Sequence, residues 1–429
     1  MEEKRDLTYI EFFDHSAVEN ICACLAQAPA RVILLGDDRE VLDLHCQRYE
    51  QLFHKRGFKE LEFIPWPVEW DTLEHIVDSL SQLVETYENC VFGLTGGDDL
   101  YLVAMGIISE CYKEKEVKMH RFFLEEEDVL DCDQDGIVVG QNRQPKLSVE
   151  ENVYLYGGRV VYDNEIPDGT HRWNMNEQFR ADLNTMWEIC CNRGNRRWNE
   201  QMETLRCAAK AAPGSGLEIH VLRQRVENLL RSDKMSFTCN EAILQDLKTK
   251  GMLTHYEIND TKVELGFKNE QIKACLTSAG RLLELVAYMA ALDARDEEGK
   301  KVYNNSLTGV YIDWDGELGS DNDGEDSHNE IDVIMMHGVI PVFVSCKNGY
   351  VSPDELYKLD VVAEQFGSSY AKKVLIAPAL DSYGDHGAYI ENRAEDMGIQ
   401  VVKSLPWDDM EERNRIVSQL WREGEDEAY

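Results

Sequence analysis

The sequence Glu330-Ile-Asp-Val-Ile-Met-Met-His-Gly-Val-Ile-Pro-Val-Phe-Val-Ser-Cys-Lys347 holds two short runs rich in Val, Ile and Phe. Such runs favour strands, and His337-Gly338 between them supplies turn chemistry, so the stretch predicts a β-hairpin. Side chains alternate faces along a strand, which places Ser345 and Lys347 on one face. If the turn has an even number of residues, Asp332 lies opposite an odd-numbered position near 343 to 347. A carboxylate, a hydroxyl and an ammonium would then meet at one spot.

This grouping suits phosphodiester hydrolysis. A carboxylate holds a divalent cation, and an ammonium stabilises an attacking hydroxide or the charge that develops on the phosphate. The alternative is an ordinary hairpin whose ends are polar.

Length and charge bound the possible functions. A chain of 429 residues is long for one core, so we expect two or three domains. Its net charge of −37 comes from 81 acids against 44 bases. Because duplex binding depends largely on neutralising phosphates, so acidic a chain is a poor general nucleic-acid binder. Handling nucleic acid would require a local basic groove, bound metal ions or an activated state.

Cysteine spacing and hydropathy exclude other classes. The 12 cysteines are scattered without a repeated Cys-x-x-Cys, which argues against a zinc site or a disulfide framework. No apolar run approaches the roughly 18 to 20 residues that span a bilayer. The first residues lack the basic and apolar segments of a signal peptide, so we expect a cytoplasmic protein.

Residues 1–145 alternate strands with helices, which predicts an α/β domain with a Rossmann-like, doubly wound parallel sheet. We expect Ser16 or Asp14 to cap the first helix. The predicted strands are 7–13, 31–36, 61–65, 90–94 and 120–124, the last closing the sheet, and the predicted helices are 17–28, a helix ending near 56, 69–87 and 100–115.

Polar loops follow three of these strands, at the edge where such sheets bind ligands. The pair Gly96-Gly97 would let the backbone approach a phosphate or a ribose closely. Each loop can also be read as an ordinary turn or cap, and there is no Gly-x-Gly-x-x-Gly to signal a dinucleotide. The candidate ligand-binding residues are Asp14, His15, Ser16, Gly36, Asp37, Thr95, Gly96, Gly97 and Asp98.

The middle of the chain divides into two parts. Residues 146–217 are predicted as a linker with short strands and then a helical connection, which carries Arg193, Arg196 and Arg197. Residues 218–268 resemble a small winged helix. The expected elements are helices at 219–231 and 240–250 and strands at 254–258 and 262–267. Since this region has little positive charge, a packing or dimerisation module is favoured over a DNA reader.

Residues 269–429 predict a mixed sheet flanked by helices. Helix 271–293 is apolar nearly all round and contains Glu284, which is costly to bury unless it is paired or binds a cation. The alternative places Glu284 on a solvated stripe. The acidic loop 313–330 is expected to be solvated, with disorder near 319–327. The remaining expected elements are strand 310–313, the hairpin, helix 353–366, strand 373–377, helix 387–397 and strand 399–402.

Two motifs in the first 145 residues resemble those of the CRISPR-associated Rossmann fold (CARF) sensor domains. They are Thr95-Gly96-Gly97 after an apolar strand and the polar first loop Asp14-His15-Ser16. The resemblance implies binding of a cyclic oligoadenylate across a homodimer interface. The common motif has Thr-Lys after the glycines, whereas this chain has Asp98-Asp99.

The C-terminal half resembles the PD-(D/E)xK nuclease fold through Gly280-Arg-Leu-Leu-Glu284, Asn329-Glu-Ile-Asp332 and Val344-Ser-Cys-Lys347. Together with the N-terminal domain, nearly the whole chain looks like the cyclic-oligoadenylate-activated CARF nucleases of type III CRISPR defence. That implies a homodimer, dependence on Mg or Mn, and cleavage of single-stranded RNA or DNA once the messenger binds. Cyclic tetra-adenylate is the favoured ring.

The resemblance also implies roles by position. Asp332 would be the principal metal ligand, Lys347 the catalytic lysine, and Glu284 an acid holding metal or water. The backbone carbonyl of Cys346 would be a further ligand. Ser345 departs from the pattern, which places Glu or Asp there, so Glu284, Glu330 or Asp360 would have to supply the missing charge.

Two other functions stay open at this point. The chain could be a ligand-sensing regulator with lost or weak catalysis, which binds DNA or a partner through the winged-helix-like region. It could also be an unregulated repair or restriction nuclease, which would cleave without a second messenger. RNA and DNA are not distinguished, because that choice depends on groove shape and 2′-OH contacts.

Overall fold

The structure is a computed structural model that describes residues 7–422 except 70–71, 98, 124–127, 143–144, 213, 215, 279 and 318–327. Two large sheets, of seven and six strands, organise the two ends of the described chain, and a three-stranded sheet lies in the middle. The disorder expected near 319–327 therefore falls outside the described residues, and so does Asp98.

The N-terminal sheet has the order β3-β2-β1-β4-β5-β6-β7, and β1 to β5 run parallel. This confirms the predicted parallel sheet. The strand order reverses between β1 and β4, so the crevice for a ligand lies beyond the ends of these two strands. The elements are β1 (Thr8–Phe12), α1 (Cys22–Ala26), β2 (Arg31–Gly36), α2 (Arg39–Lys55), β3 (Glu62–Pro67), α3 (Leu73–Thr86), β4 (Cys90–Gly93), α4 (Asp99–Cys111), β5 (Lys118–Phe123), β6 (Asp128–Cys132) and β7 (Val138–Asn142).

Two predictions for this domain were wrong. The sheet does not close at β5, because β6 and β7 add an antiparallel extension. The first helix begins only at Cys22, and Asp14 and Ser16 do not cap it. Asp14 Oδ1 instead accepts the Ser16 N–H at 2.7 Å, and the Asp14 N–H donates to Asn20 Oδ1 at 2.7 Å. These local bonds compete with the first helical turns.

Part of the segment predicted as a linker belongs to the C-terminal sheet. Strand β8, predicted as part of a linker, pairs with β12 and forms an edge of the C-terminal sheet. Residues 218–222 form a strand and not the start of a helix, since Ile219 and Val221 are buried while their neighbours are exposed. The elements are α5 (Val149–Leu155), β8 (Arg159–Val161), α6 (Glu177–Arg193), α7 (Asn195–Ala211), β9 (Glu218–Leu222), α8 (Arg223–Ser232), α9 (Glu241–Thr249), β10 (Leu253–Ile258) and β11 (Lys262–Phe267).

The C-terminal sheet has the order β16-β15-β14-β13-β12-β8, with the β14, β15 and β16 neighbours parallel and the others antiparallel. The predicted mixed sheet is therefore confirmed. Helix α11 packs on one face and α12 on the other. The elements are α10 (Glu270–Leu276), α11 (Arg281–Asp293), β12 (Asn305–Asp313), β13 (His328–His337), β14 (Ile340–Cys346), α12 (Pro353–Gly367), β15 (Lys372–Ile376), α13 (Asp385–Asp396), β16 (Ile399–Val402) and α14 (Met410–Ser418).

The helix predicted over 271–293 is two helices, α10 and α11, which meet at 119°. The break places Glu284 in the first turn of α11, not in the middle of a long helix. In the described part of the chain, no single helix is long and apolar enough to cross a membrane, and only the bent α10–α11 pair meets that test in combination.

Candidate functional site

The hairpin has the register that the sequence predicts. Its turn is the two-residue Gly338-Val339, one position later than expected, with Gly338 at φ +61°. Pairing of β13 with β14 extends from the turn to Val333 opposite Val344 and stops there. In this register Asp332 falls opposite Ser345, at the point where the two strands separate.

Three groups of β14 and its end converge on one oxygen of Asp332. The Cys346 N–H donates to Oδ2 at 2.6 Å, the Ser345 hydroxyl lies 3.4 Å from it, and Lys347 Nζ also lies 3.4 Å away. Among the described residues, none donates to Oδ1. The predicted meeting of carboxylate, hydroxyl and ammonium therefore occurs, and one oxygen is left available to a ligand.

Lys347 is held between two carboxylates. Its Nζ lies 3.1 Å from Glu355 in the first turn of α12, opposite its contact with Asp332. Burial by itself would lower the pKa of Lys347, but Asp332 and Glu355 outweigh it and the net shift is upward. Lys347 therefore stays charged at neutral pH, which excludes it as a general base and suits it to stabilise negative charge.

Glu284 approaches from the opposite face of the sheet. Its side chain is buried, and its Oε2 accepts from Arg281 Nη1 at 2.9 Å. Burial raises the pKa of Glu284 well above its usual range; Arg281 opposes this shift, and the charges of Asp332 and Glu330 add to it. A carboxyl group crowded by other carboxylates is stabilised in its ionised form by a cation, so the site has an electrostatic reason to bind one.

Sequence reasoning missed Arg281 and Glu355. Arg281 joins two acids, since its Nη2 also lies 3.6 Å from Glu330 Oε1. Its i,i+3 spacing from Glu284 was the available signal. Asp360, one of three candidates to replace the acid absent at position 345, instead accepts from Lys373 Nζ at 2.6 Å. Glu355, five residues earlier on the same helix, is the α12 acid that reaches the site.

The donor set fits a hard divalent cation. No three His, Cys, Asp or Glu side chains within the described ranges are grouped to hold a metal. The site offers instead the carboxylates of Asp332 and Glu284 and the carbonyl of Cys346. That carbonyl leaves the strand on the same side as its N–H, which points at Asp332. Mg²⁺ binds through one or two carboxylates and keeps several waters, so two acids and a carbonyl suffice.

An opening leads to this hairpin end from the α12 side. It is a small cavity of about 50 Å³, and Asp332, Ser345, Lys347, Glu355 and Lys358 line it. Glu284 does not line it and contributes from behind the sheet edge.

The predicted ligand loops after β1 and β4 lie side by side at the switch point. A Cβ placed on Gly96 would lie 3.2 Å from Asp14 Cβ, and one on Gly97, at φ +97°, would lie 2.6 Å from Phe12 Cβ. The two glycines therefore let the β4 loop pack on the end of β1, which is a structural role beside the predicted one. Thr95 Oγ1 accepts the Phe122 N–H at 2.9 Å.

The other candidates surround this junction. Gly36 is next to Phe13, since a Cβ there would be 3.2 Å from Phe13 Cβ, and Asp37 after it is exposed. His15 is exposed and Ser16 is buried. Side chains at the three strand ends are thus neighbours, and among the candidates that the structure describes the side chains of His15 and Asp37 are exposed.

Sequence reasoning also missed a contact between these loops and the C-terminal half. Glu19 lies beside Gly96, whose Cβ would be 3.5 Å from Glu19 Oε2, and the hydroxyl of Tyr370 is near enough to Glu19 to act on its pKa. Tyr370 ends the 3-10 turn Ser368–Tyr370, directly after α12. Burial raises the pKa of Glu19 to about 7, Tyr370 opposes this shift and Asp14 adds to it.

Glu284→Gln should remove a pH dependence of stability. Because the folded-state pKa of Glu284 is raised, the folded protein binds this proton more tightly than the unfolded chain, so stability falls as pH rises from about 5 to about 8. Thermal unfolding in metal-free buffer should show this slope in the wild type and a flatter one in the variant. Glu364→Gln, on the exposed side of α12, should keep the wild-type slope. An unchanged slope in Glu284→Gln would contradict the assignment.

No sequence model of a known family matches the chain, and no curated protein resembles it in sequence. Solved structures share its fold. Protein VC1899 from Vibrio cholerae superposes with a TM-score of 0.68 at 16% identity, over 97% of this chain and 98% of that one. Can2 from Sulfobacillus thermosulfidooxidans, solved in complex with cyclic tetra-adenylate, superposes with a TM-score of 0.61 at 15% identity, over 98% of each chain. At these identities the likeness establishes the fold alone.

Proposed function

We propose that the chain is a metal-dependent endonuclease that cleaves single-stranded RNA, DNA or both. Its activator would be a cyclic oligoadenylate, with cyclic tetra-adenylate as the first candidate. One observation carries the proposal: Ser345, the Cys346 N–H and Lys347 converge on a single oxygen of Asp332 where the hairpin opens. The resemblance of the motifs to CARF nucleases and the fold shared with Can2 support it.

Asp332, Glu284 and the Cys346 carbonyl would hold Mg²⁺ or Mn²⁺. Such an ion, when bound, lowers the pKa of a water ligand and polarises the phosphate. Lys347 would stabilise the charge that builds on the phosphate oxygens, because its ammonium is kept charged and is aimed at the site by Glu355. Glu284 would supply the negative charge that Ser345 cannot.

The N-terminal loops would bind the messenger. They lie at the topological switch point, where open α/β sheets bind ligands. Can2, whose chain has the same fold over its whole length, was solved with cyclic tetra-adenylate, which makes this ring the first to test. Asp14 and Glu19 place negative charge beside Gly96, so a phosphate entering there would change the electrostatic balance around Glu19.

A homodimer would be formed through α4. This helix exposes a row of apolar side chains, Leu100, Leu102, Val103 and Ile107, of which Val103 is 50% exposed. Gly106 on the same helix has nothing within 4 Å of where a Cβ would stand, so the surface is open. Exposed apolar patches of this kind are typical of protein interfaces. The helix begins directly after the β4 loop, which would place the ligand loops next to the interface.

The contact between Glu19 and Tyr370 would carry the signal. Tyr370 follows the C-terminal end of α12, and the first turn of that helix carries Glu355, which positions Lys347. Phe122, whose N–H is bonded to Thr95, has its ring 6.4 Å from that of Tyr370. A displacement of either ligand loop would thus be transmitted to α12 through Tyr370, and Glu355 on α12 contacts the catalytic lysine.

Lys347→Ala tests the catalytic assignment. Removing the ammonium should reduce messenger-stimulated cleavage of labelled single strands by about 100-fold or more, as loss of a charge-stabilising group does elsewhere. Messenger affinity should be unchanged. Lys358→Ala is the matched control, since Lys358 lines the same opening and lies 3.8 Å from Glu355. Full cleavage by Lys347→Ala would reject the site.

The alternative function is a ligand-sensing regulator without catalysis, which the serine at position 345 supports. Absence of cleavage by the wild type, together with salt-sensitive duplex binding, would favour it.

Tyr370→Phe tests the signal. The variant keeps the ring against Phe122 and removes only the hydroxyl that acts on Glu19. Because allosteric coupling is typically worth about 1 to 3 kcal/mol, losing this contact should lower the ratio of stimulated to basal cleavage about tenfold. Tyr389→Phe, an exposed tyrosine on α13, should leave the ratio unchanged. A wild-type ratio in Tyr370→Phe would eliminate this route.

A further inference from the structure

Two of the three arginines in the basic cluster that stands out in the sequence are paired with acids in the fold. Arg193 Nε lies 2.6 Å from Asp246 Oδ2, and Arg196 Nε lies 3.0 Å from Glu200 Oε1. It is therefore a poor place for an acidic chain to hold a nucleic-acid strand.

A cleft elsewhere is lined by more cationic than acidic side chains. It has a volume of about 810 Å³ and lies between the loop after α11, the turn of the β13–β14 hairpin and the end of α14, with Lys146 on its N-terminal side. Six cationic side chains and four carboxylates line it, a net charge of +2 (six minus four) in a chain whose net charge is −37. The cations are Lys146, Arg295, Lys300, Lys301, Arg415 and Arg422.

Only two of these cations are paired with a carboxylate of the described chain. Lys300 binds Glu298 at 2.5 Å and Arg415 binds Glu412 at 2.6 Å. Arg295 donates to main-chain carbonyls at the end of α11. That leaves Lys146, Lys301 and Arg422 with no carboxylate within ion-pair distance in the described ranges. Ammonium and guanidinium groups left unpaired in a strongly acidic protein are suited to phosphates.

The floor of the cleft is rigid and aromatic. His337 stacks on Trp421 with ring centroids 3.8 Å apart, and Arg422 lies 5.4 Å above the Trp421 ring. His337 Nδ1 is 2.6 Å from the carbonyl of Val302, and the Gly338 N–H donates to Asn304 Oδ1 at 2.8 Å. The hairpin turn is thus fixed against the loop that carries Lys301.

We infer that this cleft binds the phosphate backbone of a single-stranded nucleic acid at a distance from the site of cleavage. The identity of the strand as the substrate rests on the proposed function. The hairpin links both places, because Asp332 and His337 are five residues apart on β13, which is about 17 Å at ~3.4 Å per residue. A strand reaching from one to the other needs at most about five nucleotides, the number for bases stacked at ~3.4 Å each as in a duplex. The aromatic floor and the cations combine the two features of single-strand grooves.

The test is the double variant Lys301→Gln/Arg422→Gln in full-length protein. Binding of fluorescent single-stranded RNA and DNA of about 15 nucleotides is measured by anisotropy against salt, in a Lys347→Ala background so that strands stay intact. Losing two phosphate contacts should weaken binding about tenfold at low salt. It should also reduce the slope of log affinity against log salt by about 1.4, since each contact contributes about 0.7 for single strands. The matched control is Lys210→Gln/Lys234→Gln, which removes the same charge from exposed positions outside the cleft.

Equal losses in both double variants, or a loss only in the control, would overturn the inference. A cleavage assay distinguishes failure of the cleft inference from failure of the proposed function. With Lys347 intact, the double variant should cleave long strands less well, and it should cleave strands too short to reach both places as well as the wild type does. Unchanged binding with normal cleavage would reject the cleft and keep the nuclease. A loss of binding specific to the double variant in a protein that cleaves nothing would keep the cleft and reject the nuclease.

Discussion

The main-chain N–H of Cys346 loses its pairing strand where β13 and β14 separate, and Asp332 Oδ2 accepts it at 2.6 Å. A buried N–H without an acceptor costs about as much as a lost hydrogen bond, so this contact fixes the carboxylate at the sheet edge. The charged oxygen then has to be compensated, which Lys347 does, and Lys347 in turn is held by Glu355. The positions of Asp332, Lys347 and Glu355 thus depend on one backbone N–H, that of Cys346, which has no acceptor in the neighbouring strand.

The two halves of the site lie on opposite faces of the sheet, because α11 packs on one face and α12 on the other. Glu284 arrives from α11, and burial beside other acids raises its pKa, whereas Lys347 faces α12 and stays charged. Each side holds two acids around one cation, Arg281 on the first and Lys347 on the second, so the site as a whole is short of positive charge. A divalent cation between the acids would remove that imbalance, which explains in physical terms why Ser345 is tolerable in place of a third acid.

The parts of this arrangement that depend on local periodicity could be predicted from the sequence. Alternation along β13 and β14 and an even-numbered turn were enough to place Asp332 opposite an odd-numbered position near 343 to 347, and apolar neighbours favoured burial of Glu284 over a solvated stripe. Arg281 could be suspected only from its i,i+3 spacing to Glu284. Glu355 and Tyr370 could not be found in this way, because both acquire their roles from tertiary contacts, and an acidic residue such as Glu355 is ordinary in a first helical turn. Short strands were expected in the linker, but the pairing of β8 with β12 was not, because it depends on tertiary contacts.

The central claim is that the hairpin site hydrolyses phosphodiester bonds under the control of a ligand at the N-terminal loops. The most direct measurement is the cleavage rate of labelled single-stranded RNA and DNA by the wild type with Mn²⁺, with and without cyclic tetra-adenylate. The account predicts stimulation of at least about fivefold, the lower end of ordinary allosteric coupling. Equal rates in the presence and absence of the messenger, or cleavage of neither strand, would contradict it.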